Sequence, residues 1–336
     1  MPQPLKTAVI GVGYLGRFHA QKYAQLEDSE LIGVVDNDPE QAKRVGEELG
    51  VPWHTEHEKV LKEAEAVSIV VPTVHHHKLA KPFLERGVHV LLEKPFAADL
   101  EEARDLLKIS ESSKVCLQIG HLERFNSVFT EHHDLVNAPQ FIETIRIAPF
   151  PKRATDVDVI LDLMIHDIDL VQALVGEIPE VVDAVGVPLI TPRVDLAHAR
   201  LRFPSGCLAN LTASRVSAKA ERTLRLVQPG LYLSLDFGNG SGRKLLMDPN
   251  ETMDESKLEP EIIQLERQDA LLEEIRSFLK SVRDGSKPFV TAQDGLAAME
   301  TAWKIKEKLA ESGAVTTVPK SGFAAGSAAA PSEPSA

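Results

Sequence analysis

Thr7-Ala8-Val9-Ile10-Gly11-Val12-Gly13-Tyr14-Leu15-Gly16 decides how this chain is read. A short apolar run of this kind suits a strand buried on both faces of a parallel sheet. It leads straight into G-x-G-x-x-G and then into a helical pattern, the order in which a dinucleotide-binding unit places its phosphate loop. Gly11 permits the tight turn, Gly13 lets the backbone approach a pyrophosphate, and Gly16 lets helix and strand pack closely. The N–H groups that open the helix then face the phosphate charge. The second run ends Val34-Val35-Asp36, which puts Asp36 twenty residues past Gly16, where an acidic residue meets the adenosine ribose. A carboxylate accepts hydrogen bonds from a ribose diol and repels a 2′-phosphate, so NAD is expected over NADP. Arg17 argues the other way, because a nearby guanidinium can serve a 2′-phosphate; a helix-face or pyrophosphate contact is its better reading. The blander role for Asp36, a cap on Asn37-Asp38-Pro39-Glu40, leaves the rest of the spacing unexplained.

Outward from that stretch the first third keeps the same rhythm. Leu31–Val35, Ala66–Val71, Val88–Leu92 and Val115–Ile119 are further short apolar runs. They alternate with amphipathic stretches at Pro39–Leu49, His76–Arg86 and Asp99–Ser110, the last opening on an Asp99/Glu102 capping-box pattern. Strand–helix alternation with short loops predicts a doubly wound α/β domain over residues 1–122. Beyond it, one helical stripe spans Val159–Leu174. Alternating strand-like runs follow at Val181–Val187, Ala197–Phe203, Leu208–Ser214, Thr223–Val227 and Leu231–Leu235. Two amphipathic helices close the pattern, the second capped by Thr291 and Asp294. Residues 123–318 therefore read as an α+β domain with a mostly antiparallel open sheet, whose last helices can pack back on the first domain. Residues 319–336 are rich in Ala, Ser, Gly and Pro and read as a disordered tail.

Composition narrows the partners. The 336 residues carry 37 basic and 50 acidic side chains, a net charge of −13. Such a chain has no overall field for nucleic acid or anionic lipid, although a local basic pocket can still take a phosphorylated small molecule. The two cysteines, Cys116 and Cys207, form no metal-ligand spacing and suit a reducing compartment. The N-terminus has no signal-peptide pattern and no window reaches a membrane span. A soluble, cytoplasmic protein with no membrane insertion is the expectation.

Three further segments carry chemistry: Leu92-Glu93-Lys94-Pro95, Gly120-His121-Leu122-Glu123-Arg124-Phe125-Asn126, and Leu161-Asp162-Leu163-Met164-Ile165-His166-Asp167-Ile168-Asp169. Asp162 and His166 stand i and i+4, so a regular helix makes them neighbours, and a carboxylate beside an imidazole suits acid–base work. Lys94 leaves the carboxyl end of a parallel strand, where open α/β sheets place their ligands. Its ammonium can polarise a developing alkoxide or, deprotonated, take a hydroxyl proton. Taken singly, each of these residues would more often be an ordinary surface group.

In order and spacing these segments, with Gly11–Gly16 and Pro72-Thr73-Val74-His75-His76, resemble the Gfo/Idh/MocA oxidoreductase family over all but the tail. Thr73 stands where the family commonly has Asn. The resemblance implies an NAD(P)-dependent dehydrogenase acting on a CH–OH group, with Lys94, Asp162 and His166 catalytic. It places Tyr14, Leu15, Pro72, His76, Glu93 and Lys94 beside Gly11, Gly13, Gly16 and Asp36 around the dinucleotide. Glu93 would orient its loop, His76 would sit near the nicotinamide, and the Lys94–Pro95 bond can be cis. Within the family, the phrases around His121 and His166 look most like the UDP-N-acetylglucosamine 3-dehydrogenase branch, which supplies a 3-keto sugar nucleotide for lipid A biosynthesis. That implies oxidation of a secondary sugar hydroxyl at C3. Alternatives are an inositol-like cyclitol, another sugar or a UDP-hexuronic acid, or a dinucleotide-binding regulator without turnover. If the substrate is a sugar nucleotide, Arg124, Lys152 and Arg153 are candidates for its diphosphate, against the equal alternative of surface cations. A homodimer or homotetramer is also implied. His75-His76-His77 is not read as a metal site, since consecutive histidines point apart, unlike a same-face pair. Asp156, Asp158, Asp162, Asp167 and Asp169 are read as solvated helix-start acids.

Overall fold

The computed structural model describes residues 3–150, 157–247, 259–266 and 268–311. Lys152, Arg153, Asp156 and the expected tail lie outside the described residues.

The first sheet has six parallel strands: β1 (Leu5–Ile10), β2 (Ser29–Val35), β3 (Trp53–His54), β4 (Ala66–Ile69), β5 (His89–Glu93) and β6 (Leu117–Gly120). Their order is β3-β2-β1-β4-β5-β6, so the winding reverses between β1 and β4, and the crevice there is where such sheets bind ligands. Ala8, Val9, Val34, Val67 and Val90 are fully buried, as strands covered on both faces require. The covering helices are α1 (Tyr14–Gln25), α2 (Pro39–Leu49), α3 (His76–Glu85) and α4 (Leu100–Ser113). Local chemistry sets their ends. Asp38 accepts from the Glu40 and Gln41 N–H groups ahead of Pro39, and Gly50 ends α2 at φ +68°. Asp99 caps α4 through Glu101 and Glu102, while the Glu102 carboxylate reaches back to the Ala98 N–H at 3.2 Å, one residue before the cap. The two-residue β3, beside Val34 and Val35, has no run long enough to announce it.

The second sheet runs β14-β13-β12-β11-β7-β10-β9-β8. Its strands are β7 (Phe141–Ile147), β8 (Glu180–Val187), β9 (Leu196–Arg202), β10 (Leu208–Ser214), β11 (Glu221–Gln228), β12 (Leu231–Asp236), β13 (Ser241–Leu246) and β14 (Glu261–Gln264). It is antiparallel except where β7 runs parallel to β10. β7 is central yet absent from the sequence expectation, because its inward face presents Ile142, Thr144 and a buried Arg146 in place of a clean apolar series.

Three helices join the two sheets, following the short α5 (Ser127–Thr130). α6 (Ile165–Val175) and α8 (Ala292–Glu311) cover one face of the second sheet. α7 (Ala270–Asp284) returns to the first domain, packing Leu271, Ile275, Phe278 and Leu279 with Val9, Tyr23 and Leu91. Thr291 and Asp294 form a reciprocal cap at the start of α8. The stripe expected at Val159–Leu174 is not one regular helix: Ile160–Met164 forms a π turn and α6 begins at Ile165. Being wedged between layers, α6 lacks a solvent face. Asp167 and Asp169 are accordingly 3% and 2% exposed, which corrects their reading as solvated acids. Among the described residues no helix is long and apolar enough to cross a membrane.

Candidate active site

The loop after β1 is built as its glycines require. Gly11 has φ +84°, and a Cβ there would stand 2.3 Å from the Val70 carbonyl oxygen. A Cβ on Gly16 would stand 1.8 Å from the Gly11 carbonyl oxygen, so α1 seats on the turn only with glycine at that position. A Cβ at Gly13 would meet nothing within 4 Å, which leaves an open cradle at the N-terminus of α1. Open space against bare backbone N–H groups is what a pyrophosphate needs. Tyr14 and Leu15 form the exposed first turn of α1, Tyr14 with its ring edge-on to Phe18 at 5.3 Å.

A cleft of about 400 Å³ opens from this cradle, lined among others by Gly11, Gly13, Asp36, Pro72, His75 and Lys78. Asp36 accepts the Val12 N–H at 2.8 Å and the Asp38 N–H at 3.0 Å, tying the glycine loop to the end of β2. A carboxylate has about four acceptor positions, so capacity remains for a ribose diol. Arg17 forms two 2.8 Å bonds with Glu48, which takes it away from a 2′-phosphate. The residues present therefore fit NAD. A larger hollow of about 660 Å³ between β8, β9 and the end of α8 shares no lining residue with this cleft.

Lys94, Asp162 and His166 meet beyond the cleft. The Lys94–Pro95 bond is cis. The Lys94 ammonium donates to the Asp162 backbone carbonyl at 2.7 Å and lies 3.5 Å from its carboxylate. The π turn alters the expected i, i+4 pairing: among the described residues no hydrogen bond joins Asp162 to His166, and His166 Nδ1 is buried without a partner. The ring next to His166 is that of His121, at 6.4 Å between centroids. Burial first, then the charges of Lys94 and Arg146, hold the His166 pKa well below its usual value. The imidazole is therefore neutral at neutral pH, the form able to accept a proton.

Other expected site residues are buried. His76 is fully buried, its Nδ1 2.9 Å from the Pro95 carbonyl and its Nε2 3.0 Å from that of Val71. It clamps two loops together, and His75 lines the cleft in its place. His77 meets Asp105 at 2.7 Å, so the three histidines face three directions. Glu93 is also buried, accepting the Lys94 N–H at 3.2 Å and facing His19 Nε2 at 3.2 Å. Burial pushes its pKa up, but the His19 bond and the His19 and Lys94 charges outweigh this and leave Glu93 an ion. Arg124 is buried in a two-bond pair with Asp169, at 2.8 and 3.0 Å, so its Nε and one terminal nitrogen are engaged within the protein. Arg146 is closed in the same way by Glu123 and Asp167.

Sequence reasoning missed the buried polar group under Lys94. His19, 9 residues into a G-x-G-x-x-G-x-x-H stretch that begins at Gly11, bonds through its two nitrogens to Ser68 at 3.2 Å and Glu93 at 3.2 Å. Glu274 from α7 completes a His19–Glu93–Glu274 cluster whose ligating atoms lie within 4.8 Å of one another. Burial and the Glu93 charge raise the Glu274 pKa well above the usual value, which keeps it a neutral acid. His19 could have been noticed from its spacing; nothing near Glu274 in sequence points to it.

Residues 5–121 match the oxidoreductase family described by its NAD-binding Rossmann fold, and residues 118–228 match the GFO/IDH/MocA C-terminal domain. The chain belongs to the Gfo/Idh/MocA oxidoreductase family. This member is 38% identical over 303 residues to the UDP-N-acetylglucosamine 3-dehydrogenase of Acidithiobacillus ferrooxidans, covering 90% of this chain and 96% of that protein. A solved structure of that dehydrogenase superposes with a TM-score of 0.85 at 37% identity, over 92% of this chain and 98% of the other. Myo-inositol 2-dehydrogenase of Thermotoga maritima is 25% identical over 327 residues, covering 91% and 97% of the two chains. As a family member this protein is an NAD-binding dehydrogenase whose relatives act on sugar and cyclitol hydroxyls.

Proposed function

We propose that this protein oxidises the C3 hydroxyl of UDP-N-acetylglucosamine to the ketone, with NAD. The whole-chain likeness to the Acidithiobacillus enzyme carries the substrate, since it is 38% identity over 90% of this chain against 25% over 91% for the inositol dehydrogenase. Bound NAD supplies the hydride acceptor. The neutral His166 takes the proton from the hydroxyl. The Lys94 ammonium, held by Asp162, stabilises the negative charge that develops on that oxygen. Asp162 positions Lys94 directly and His166 only through the backbone they share. Gly11, Gly13, Gly16 and Asp36 hold the dinucleotide, with Tyr14, Leu15, Pro72 and His75 bordering it.

Two coarser proposals accompany this one. The chain divides near residue 122 into cofactor and substrate domains, with α7 belonging structurally to the first. It also self-associates through the face of the second sheet turned away from α6 and α8. Leu208, Phe141, Val227, Tyr232 and Leu245 are cross-strand partners in one row on that face, and none is buried.

The test is single-turnover NADH formation with UDP-N-acetylglucosamine, with myo-inositol and a UDP-hexuronic acid alongside. Wild type should form NADH with the first. His166→Ala and Lys94→Ala should each lower kcat about 10²–10⁴-fold and leave NAD affinity unchanged. Preferred turnover of myo-inositol would overturn the substrate, and wild-type rates in His166→Ala would remove that residue from the chemistry.

A further inference from the structure

The register of the first sheet makes a neighbour for Lys94 that the reaction above does not use. Glu93 pairs with Gly120 across β5 and β6, so Lys94 and His121 leave the carboxyl edge of the sheet side by side. Gly120 allows this closeness, since a Cβ there would stand 3.0 Å from the Glu93 carboxyl group. The His121 side chain is 1% exposed, and neither ring nitrogen has a hydrogen-bond partner. Among the described residues it is the one buried imidazole left so: His19 and His76 each bond through both nitrogens. Its ring stands at 87° to that of His166, whose Nδ1 is also unpaired.

Nearby side chains already have their roles. Arg124 is closed by Asp169 and Arg146 by Glu123 and Asp167, while Lys94, held by Asp162, serves the reacting hydroxyl. A residue needed only for packing would be better as Phe, which fills the same shape without stranded nitrogens. An imidazole kept at the edge of a catalytic site with two unmet polar atoms is instead suited to a partner that arrives with the substrate.

We propose that His121 is a substrate-contacting residue, hydrogen-bonding the sugar hydroxyl adjacent to the one oxidised and so fixing which carbon faces the nicotinamide. This rests on the sugar-dehydrogenase reading above. His166 and Lys94 serve the reacting hydroxyl, and the second imidazole, one ring away, serves the next position. Burial holds the His121 pKa below its usual value, so the ring is neutral and offers one N–H and one lone pair. A buried group satisfied only by substrate also discriminates against molecules lacking that hydroxyl.

The experiment compares wild type with His121→Phe and His121→Gln on UDP-N-acetylglucosamine and on its 4-deoxy analogue. With the full substrate, His121→Phe should lose roughly 10- to 100-fold in kcat/KM, the worth of one buried hydrogen bond. Its melting temperature should stay level or rise, and NAD affinity should not change. On the 4-deoxy analogue, wild type should lose a similar factor and His121→Phe should lose nothing further. His121→Gln, which keeps a donor and an acceptor, should recover part of the rate. Wild-type kcat/KM in His121→Phe, or an equal deoxy penalty in both proteins, would overturn the assignment. If wild type oxidises a cyclitol and not the sugar nucleotide, the substrate reading fails by itself. The same comparison with a monodeoxycyclitol then decides on His121.

Discussion

Replacing Asp36 by serine should change cofactor choice by an amount the structure lets one work out. The carboxylate has two duties: it accepts the Val12 and Asp38 N–H groups at 2.8 and 3.0 Å, and its remaining lone pairs face the cleft. A hydrogen bond to a charged group contributes about 1.5–3 kcal/mol, so losing the ribose contact should weaken NAD roughly 10- to 150-fold. For NADP the carboxylate is a like charge. At a separation of about 4 Å its removal relieves about 1 kcal/mol if fully hydrated and about 4 at an effective dielectric near 20. Asp36 is half-buried, so the relief should lie between those limits. The ratio of affinities should thus fall roughly 50-fold or more without strongly favouring NADP, because Arg17 stays bound to Glu48. Adding Glu48→Gln should free that guanidinium and carry the preference over to NADP. Titration calorimetry of NAD and NADP into wild type, Asp36→Ser and the double variant measures all three steps. Tighter NADP binding by wild type, or an unchanged ratio in Asp36→Ser, would refute the ribose assignment.

Other outcomes follow from the same geometry. The Lys94 charge helps hold the His166 pKa down, so Lys94→Met should move the His166 titration to higher pH. Histidine NMR, with His166→Gln for assignment, reads this without turnover, and an unmoved resonance would contradict the proposed proximity. Val227→Asp should break up the associated state, as followed by light scattering; a wild-type protein that is monomeric across micromolar concentrations would end that proposal. Asp195 and Arg215 form a fully buried ion pair at 2.9 Å, so Asp195→Ala should cost about 3–5 kcal/mol, roughly 4–7 °C in melting temperature. Bonds from the Thr191, Leu189 and Ile190 N–H groups lower the Asp195 pKa despite its burial. Its contribution is therefore present above the unfolded value of about 3.9 and should fade as pH drops below it, which acid titration of wild type against Asp195→Ala can show.

What could be read along the chain is what short-range physics controls. Parallel strands buried on both faces show as apolar runs, and the glycine loop shows because no other residue tolerates a Cβ 2.3 or 1.8 Å from backbone. Caps at Asp38, Asp99 and Thr291 are equally local. Tertiary structure decided whatever depends on a distant partner. Arg124 looked like a free cation until Asp169, 45 residues away, closed it. β7 was obscured because Arg146 is buried by carboxylates from other elements. Asp162 and His166 kept their spacing but lost their direct pairing to a π turn, and α6 became buried on every side because two layers meet across it. His121 is the extreme case. In sequence it is one letter in a motif, and only the register of Glu93 with Gly120 sets its unpaired ring beside Lys94.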